Sequence, residues 1–397
     1  MLVKNFLNYY YTIKYLKKSQ VFGRFLRYFK KIDLVPLGYL NLRAPVQPYL
    51  PIQLSCRSMY DGDRFIFLNE EGTLNSWNDH NHSKLWLYNL HYFDDLNSHN
   101  ASKRNALHVS LIDRWIFDNP PLKGNGWEPY PISLRIVNWV KWFLVYNQYN
   151  EERLISLSLQ SKVLMQTLET HLLGNHLYAN AKALVFAGLF FKGKEADLWL
   201  NKGLKIFKDE IPEQILADGG NFELSPMYHA TMTADMLDML SILKSFKDVR
   251  CHELLFTINK ILPKMIAWLK TMSHPDGGFA FFNDTSNGIS PTLYQLIDTS
   301  KMLGIKFIHD YSQTPSLKYL PESGYFRITL QDAVAIGDIG NVGPDYIPGH
   351  AHADTLSFEM SVFDMRFIVN SGTSVYGLGA ERLRQRGTAA HSTVVID

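Results

Sequence analysis

Cysteine, long apolar runs and net charge are all scarce in this chain. Its 397 residues include only Cys56 and Cys251, which are too few and too distant to indicate a disulfide framework or a cysteine-based metal centre. No stretch reaches the ~18 uninterrupted apolar residues that a membrane span needs. The formal net charge is only +2, so no excess of positive charge indicates a nucleic-acid partner. We therefore predict a globular protein without a transmembrane span or a nucleic-acid ligand.

Aromatic residues are abundant instead. They make up 13% of the chain, with 21 tyrosines and 8 tryptophans, and such rings can fill a large core or line a cleft that binds sugars. Residues 1–32 form a basic, amphipathic segment that has no clean apolar region followed by a small-residue cleavage site. We predict that this segment packs on the folded domain as a helix, while a peripheral contact with a membrane surface stays open.

The hydrophobic pattern divides the rest of the chain into three regions. Residues 33–103 are rich in proline and are predicted to be irregular. Residues 104–304 show helical periodicity, and the predicted helices are 104–118, 131–149, 151–171, 177–191, 195–212, 228–247, 251–271 and 291–303. Their similar lengths and short connections indicate antiparallel helical hairpins. The period changes to two from residue 305, which predicts an α+β multidomain protein.

Residues 305–397 carry short alternating segments that are typical of an antiparallel sheet. The segments are YLPESGYFRITL, AVAIGDIG, DTLSFEMSVF, RFIVNSG and STVVID. The sequence stops within the last of them, and a stable sheet needs several strands. We therefore expect that this chain holds only the first part of a β-sandwich.

Two polar clusters interrupt the helical region. GNHLYAN contains Asn175, His176 and Asn180 at the start of an otherwise apolar helix. One interpretation is a helix cap beside a buried histidine, and the other is a functional site. The second cluster, DGGNFELSPMYH, lies in a glycine-rich loop, and its candidate residues are Asn221, Glu223, Tyr228 and His229. Ser225 and Pro226 explain the start of the following helix as its cap and first residue, but they do not explain the Tyr228–His229 pair.

A third cluster, PGHAHADTLSFEM, leads into a predicted strand. His350 and His352 would point to one face of a strand, which suits metal binding or catalysis, whereas polar caps on the strand are the plainer alternative. A zinc site needs more ligands. Asn370 and His391 are the candidates, but an amide is a poor zinc ligand. The stretch WEPYPISLRIVNW adds Trp127 and Arg135 as further candidates for a site.

Five stretches in this order resemble the heparinase II/III family of polysaccharide lyases, which is related to some alginate and oligoalginate lyases. They are GNHLYANAKALVFAG, DGGNFELSPMYH, GHAHADTLSFEM, VNSGT and HSTVVID, and the resemblance covers roughly residues 80–397. It implies an incomplete α/α toroid followed by an antiparallel β-sandwich. It also implies a cleft in which polar clusters from the two parts meet.

The resemblance implies cleavage of a uronate-containing polysaccharide by β-elimination. Asn175 would then hydrogen-bond the uronate carboxylate, with His176 beside it, and stabilise the enolate-like transition state. Tyr228 and His350 would transfer the protons of C5 and O4, and the sequence leaves open which of them is the base. We expect the remaining members of the clusters to bind the acidic substrate: Trp127, Arg135, Asn180, Asn221, Glu223 and His229.

The resemblance also implies a structural zinc ion in some relatives, at the positions of His352, His391 and Asn370. Some relatives have an aspartate where this chain has Asn370, and the neutral amide removes a ligand charge. We therefore expect that the protein requires no cofactor and holds little or no zinc. Asp354 is predicted to be a structural strut rather than a catalytic group.

Two other functions stay open. A glycoside hydrolase on a similar toroid would need a pair of carboxylic acids, for which Glu128, Asp218 and Glu223 are available. A non-catalytic sugar-binding protein of a polysaccharide assembly system would fit the unusual basic start and Asn370. The compartment also stays open, because the resemblance favours export to the periplasm or the medium whereas the lack of a signal peptide favours the cytoplasm.

Overall fold

The computed structural model describes residues 9–11, 13–307 and 314–395, and these divide into two compact units. Unit 1 comprises residues 1–18, 211–237 and 256–397, and unit 2 comprises residues 19–210 and 238–255, each within the described ranges. None of the helices in the described residues is long and apolar enough to cross a membrane.

The structure confirms the predicted switch from helices to strands. The helices are α1 (Lys18–Phe29), α2 (Lys84–Tyr92), α3 (Asn105–Asp118), α4 (Pro129–Tyr146), α5 (Glu151–Gln166), α6 (Gly174–Phe190), α7 (Lys194–Gln214), α8 (Pro226–Phe246), α9 (His252–Thr271), α10 (Leu293–Met302) and the short α11 (Ala380–Arg386). From α3 to α10 they correspond to the eight predicted helices, with ends that differ by a few residues.

Local sequence explains the ends of the central helices in unit 2. Pro129 begins α4, where its missing N–H costs no hydrogen bond, and Asn147 ends it in the left-handed conformation with φ of 53°. Asn150 then caps α5 by accepting a hydrogen bond from the Arg153 N–H. The inward face of α4 includes Trp139 and Trp142, both fully buried. The abundant aromatic residues therefore fill the core of this unit.

A buried ionic cluster ties together three helices within unit 2. Asp238 of α8 accepts hydrogen bonds from the ammonium groups of Lys141 on α4 and Lys182 on α6, each at 2.7 Å. Burial opposes the negative charge of Asp238, but the two lysines outweigh it and lower the pKa of this carboxyl.

Five strands of unit 1 form one antiparallel sheet in sequential order. The strands are β3 (Ser316–Leu320), β4 (Tyr325–Thr329), β5 (Ala333–Asp338), β6 (Phe358–Val362) and β7 (Met365–Ile368), with a register shift at Met360/Ser361. The described part of STVVID forms no strand, contrary to prediction. Its Ser392 N–H instead donates to the side-chain oxygen of Asn370.

The region 33–103 is less irregular than its prolines indicate. It contains the hairpin β1 (Arg64–Phe67) and β2 (Glu70–Thr73), followed by α2. The turn places Leu68 and Asn69 at φ of 55° and 63°. Leucine is unusual in that conformation, and the polar β2 lacks an alternating pattern, so the sequence gives little sign of this hairpin.

Candidate active site

The start of α8 places Tyr228 in unit 1. Ser225 caps the helix, since its hydroxyl accepts a hydrogen bond from the Tyr228 N–H at 3.3 Å and donates to the Asp284 carbonyl at 2.7 Å. Pro226 is the first helical residue, as predicted. Tyr228 is therefore fixed on the first turn of the helix, and its side chain is half-buried.

Tyr228 and His350 are in direct contact. Their ring centroids lie 3.8 Å apart with an interplanar angle of 38°. The Tyr228 hydroxyl also donates to the hydroxyl of Tyr376 at 3.3 Å. Two residues that are 122 positions apart in the sequence thus bring a phenol and an imidazole together at a partly exposed position, where both could reach one substrate.

Carboxylates contact both ring nitrogens of His350. Asp284 Oδ2 lies 2.9 Å from Nδ1, and Glu223 Oε2 lies 3.3 Å from Nε2. The two carboxylates therefore hold the imidazole of His350 in place beside the Tyr228 ring.

Asp284 is the centre of this cluster. Besides His350, its carboxylate accepts from His352 Nε2 at 2.8 Å and from Arg382 Nη2 at 2.7 Å. Burial disfavours the charge of Asp284, but hydrogen bonds from the two histidines and Arg382 outweigh it and hold the pKa of Asp284 well below its usual range. Asp284 is thus an ionised, fully buried anchor for both histidines.

Sequence reasoning missed three members of the cluster. Asp284 lies in the short polar run FNDTSN after α9, Tyr376 lies in a glycine-rich loop, and Arg382 lies on α11. Burial raises the pKa of Tyr376 to about 12, and the Asp284 carboxylate adds to this effect, so Tyr376 stays a neutral phenol. The charged Asp284 within FNDTSN was the one feature that could have indicated a functional role, but nothing in the sequence showed that this segment lies beside the histidines.

Asp354 has the contacts of a strut. Its Oδ2 accepts from the Asn283 N–H at 2.7 Å, and Asn283 Oδ1 in turn accepts from the His352 N–H at 2.8 Å. Asp354 is 1% exposed. Its carboxylate therefore fixes the loop that carries Asp284.

Of the predicted zinc ligands, His352 and His391 lie close to one another. The ring centroids of His352 and His391 lie 5.3 Å apart. His352 Nδ1 and both ring nitrogens of His391 are buried without a hydrogen-bond partner in the described residues. Burial lowers the pKa of His391, although the Asp354 carboxylate opposes this, so its imidazole is suited to metal binding.

Asn370 does not complete this set. Its Oδ1 accepts from the Ser392 N–H at 2.9 Å, and its Nδ2 donates to Ser357 Oγ at 3.3 Å, so both ends of the amide are engaged within the protein. Among the described residues, no three His, Cys, Asp or Glu side chains converge as metal ligands. Because a structural zinc site is closed by four ligands, the residues present do not fit one.

In unit 2, Asn175 and His176 occupy the first turn of α6, which begins at Gly174, so Asn175 is not the helix cap. Both side chains are half-buried. The Asn175 side chain forms no hydrogen bond with the described residues. The rings of His176 and Tyr130 are in contact, with centroids 4.5 Å apart and an interplanar angle of 45°, and His176 Nδ1 lies 3.1 Å from Glu169 Oε1. The amide of Asn175 is therefore available for an external acceptor.

Asn180 stabilises this first turn of α6 through hydrogen bonds to Glu169. It accepts from the Glu169 N–H at 2.8 Å and donates to Glu169 Oε2 at 3.0 Å. Its side chain is fully buried. The contacts make Asn180 a residue that positions Glu169, and through it His176, rather than one that contacts substrate.

Three other predicted substrate-binding residues are also engaged within the protein. Arg135 is fully buried and donates to Gln160, His91 and Gly126. His229 is fully buried between the Asn221 N–H, from which it accepts, and the Met265 carbonyl, to which it donates. Burial lowers the pKa of His229 to about 4, so it is neutral. The Asn221 side-chain oxygen in turn accepts from the Glu223 N–H at 3.0 Å. Arg135 therefore holds the segments that contain His91 and Gly126, and Asn221 and His229 fix the loop that precedes α8.

Trp127 lies at the edge of a cavity of about 630 Å³ within unit 2. Its indole N–H donates to the Asn119 carbonyl at 3.1 Å, and it is 6% exposed. Glu128, Arg27 and His171 also line this cavity. Of the substrate-binding residues predicted in unit 2, Trp127 alone lines this cavity.

Two family models cover most of the chain. Residues 77–303 match the model described as "Heparinase II/III N-terminus", and residues 312–397 match "Heparinase II/III-like, C-terminal". The heparin-sulfate lyase of Bacteroides stercoris is 30% identical over 244 residues, which cover 56% of this chain and 36% of that protein. The heparin-sulfate lyase of Pedobacter heparinus is 28% identical over 246 residues, with the same coverage. The matched part of the chain thus spans little more than a third of these relatives.

Solved structures of similar fold agree with the family models. The crystal structure of heparinase III matches with a TM-score of 0.62 at 21% identity, over 81% of this chain and 56% of that one. The heparan sulfate lyase HepC from Pedobacter heparinus matches with a TM-score of 0.53 at 20% identity, over 80% and 55%. These likenesses confirm the predicted fold class, a helical toroid followed by an antiparallel sheet.

Proposed function

Because the chain belongs to the heparinase II/III family, we propose that it is a polysaccharide lyase that cleaves uronate-containing glycans by β-elimination. The observation that carries this proposal is the contact between Tyr228 and His350, with Asp284 and Glu223 on the two nitrogens of the imidazole. The curated relatives are named heparin-sulfate lyases, so heparan sulfate is the first substrate to test. Alginate and uronate-containing bacterial exopolysaccharides, in which the same elimination is possible, should be tested after heparan sulfate.

The proposed reaction takes the proton from C5 of the uronate and breaks the C4–O4 bond. The electron pair of the C5–H bond becomes the C4=C5 double bond, and O4 leaves with a proton. We assign both proton transfers to Tyr228: its phenolate takes the proton from C5, and the phenol that results gives this proton to the departing O4. His350, in contact with the ring of Tyr228, is assigned the role of orienting it. The chain's own side chains suffice for these steps, so we propose that no cofactor is required.

The carboxylate of the uronate must be neutralised before C5 becomes acidic. We assign this task to Asn175, whose amide can donate to a carboxylate oxygen and stabilise the charge that develops in the enolate-like transition state. His176 is assigned a supporting role on the same turn, where Glu169 orients its ring. The proposed substrate is accordingly an acidic polysaccharide or oligosaccharide.

The contacts of the carboxylates favour elimination over hydrolysis. A glycoside hydrolase needs two carboxyl groups that face the scissile bond across a cleft. Here Asp284 is fully buried and accepts hydrogen bonds from His350, His352 and Arg382, and Glu223 faces the imidazole of His350. Neither group is a free acid or nucleophile, which favours the assignment of the proton transfers to Tyr228.

A substrate panel tests this proposal. The purified protein is incubated with heparan sulfate, alginate and other uronans, and both ultraviolet absorbance and reducing ends are followed. Elimination creates an unsaturated uronate that absorbs in the ultraviolet, one for each new reducing end. New reducing ends without that absorbance would establish a hydrolase, and binding without either signal would establish a sugar-binding protein.

A further inference from the structure

Helix α1 is amphipathic, but its apolar face is exposed, whereas a helix packed on a domain is expected to bury that face. Its apolar side chains repeat at three- and four-residue spacing and so share one face. They are Val21, Phe22, Phe25, Leu26 and Phe29. This face is turned to the outside, where Phe22, Phe25 and Phe29 are 62%, 60% and 72% exposed.

The opposite face of α1 packs on unit 2. Gly23 approaches Thr170 and His171 so closely that a Cβ atom would lie 3.1–3.2 Å from them. Arg27 Nη1 lies 3.1 Å from the ring of His171, and Gln20 is 2% exposed. The polar and small residues therefore face the protein and the apolar ones face away. A fold that only needed to attach this helix would have the reverse arrangement, because burying the apolar face stabilises far more.

Positive charge surrounds the exposed face. Arg24, Lys30 and Lys31 are exposed beside it, and the sequence has no acidic residue before Asp33. A row of phenylalanines flanked by arginine and lysine is the pattern of a helix that lies in the plane of a membrane surface, with its rings among the acyl chains and its cations on anionic headgroups.

We propose that α1 docks this protein on an anionic lipid bilayer. Charge complementarity favours this occupant over a second copy of the chain, whose like-charged face would repel it. An acidic polysaccharide could neutralise the cations but offers too little apolar surface to cover three phenylalanine rings. The docking surface is the face of α1 formed by Val21, Phe22, Phe25, Leu26 and Phe29 with its flanking cations.

Cosedimentation of the whole protein with vesicles tests the proposal. Binding is expected to vesicles of phosphatidylcholine that contain phosphatidylglycerol, and to be much weaker without the anionic lipid or at high salt. The double variant Phe25→Glu/Phe29→Glu should lose at least ~100-fold in affinity, since each inserted ring contributes about tenfold or more. Replacing Lys30 and Lys31 by glutamine should cost about fivefold for each charge.

The matched control is Phe117→Glu, which changes a phenylalanine of α3 that is 87% exposed. It should bind anionic vesicles like the unchanged protein. The proposal is overturned by failure of the unchanged protein to bind them, or by equal losses in the Phe117 and α1 variants. It is also overturned if the α1 variant instead loses self-association, measured by sedimentation velocity. The same holds if the unchanged protein does not bind vesicles and the α1 variant loses binding to a uronan.

Discussion

Replacing Asp284 by asparagine removes one negative charge from the centre of the candidate site with almost no change in volume. Asp284 is fully buried and accepts hydrogen bonds from Arg382, His350 and His352. Its asparagine substitute would turn an NH₂ group towards these donors. Breaking a buried, hydrogen-bonded ion pair in this way typically costs about 3–5 kcal/mol. We expect a loss of that size in the free energy of unfolding at pH 7.

The pH dependence separates charge from packing. The pKa of Asp284 is held well below its usual range in the folded protein, so its ionisation stabilises the fold above the unfolded pKa of ~3.9. This stabilisation is lost as the pH falls through the folded-state pKa. The difference in stability between the unchanged protein and Asp284→Asn should therefore be largest near neutral pH and shrink towards acid.

Urea denaturation followed by fluorescence at pH 7 and below pH 4 measures both effects. The matched control is Asp276→Asn, which removes a partly exposed partner of Arg366 in the same unit and should cost below ~1 kcal/mol. A loss below ~1 kcal/mol for Asp284→Asn, or an equal loss at both pH values, would refute the view of Asp284 as an ionised anchor.

Three further outcomes are expected. Burial raises the pKa of Asp338 to about 8, and nearby Asp354 adds to it, so stability should fall as the pH rises from ~4 to about 8. Asp338→Asn should flatten this fall in urea denaturation, and an unchanged slope would refute it. Elemental analysis should find well below one zinc per chain, whereas one tightly held zinc would show that His352 and His391 have a further ligand. Asn175→Ala should reduce turnover of a uronan by ~10²–10³-fold and that of its methyl ester by less, and equal losses would contradict its role at the carboxylate.

The helices and strands could be predicted because the pattern that defines them is local. The eight helices from α3 to α10 follow from apolar spacing, and the start of α8 follows from Ser225 and Pro226. The hairpin at Leu68 and Asn69 could not be predicted in this way, because a leucine with positive φ and a polar strand hide it. The segment STVVID has the composition of a strand, but a strand also needs a pairing partner.

In the candidate site too, residues in recognisable local stretches could be predicted, whereas residues that depend on long-range contacts could not. Tyr228 and His350 stand in recognisable stretches, and their contact could be expected from a resemblance that covers both. Asp284 and Arg382 could not, because their importance rests on contacts between positions 98 residues apart. Conversely, Arg135 and His229 look functional in the sequence, but burial shows that their polar atoms hold loops together.

The most direct test of the account is the turnover of Tyr228→Phe on a uronan that the unchanged protein cleaves. Only the hydroxyl is lost, so the fold should be kept while the rate of ultraviolet absorbance increase falls by ~10²–10⁴-fold. Tyr294→Phe, at a tyrosine of the same unit that is 64% exposed, is the matched control and should retain full turnover. Unchanged turnover of Tyr228→Phe on that substrate would contradict the assignment of proton transfer to Tyr228.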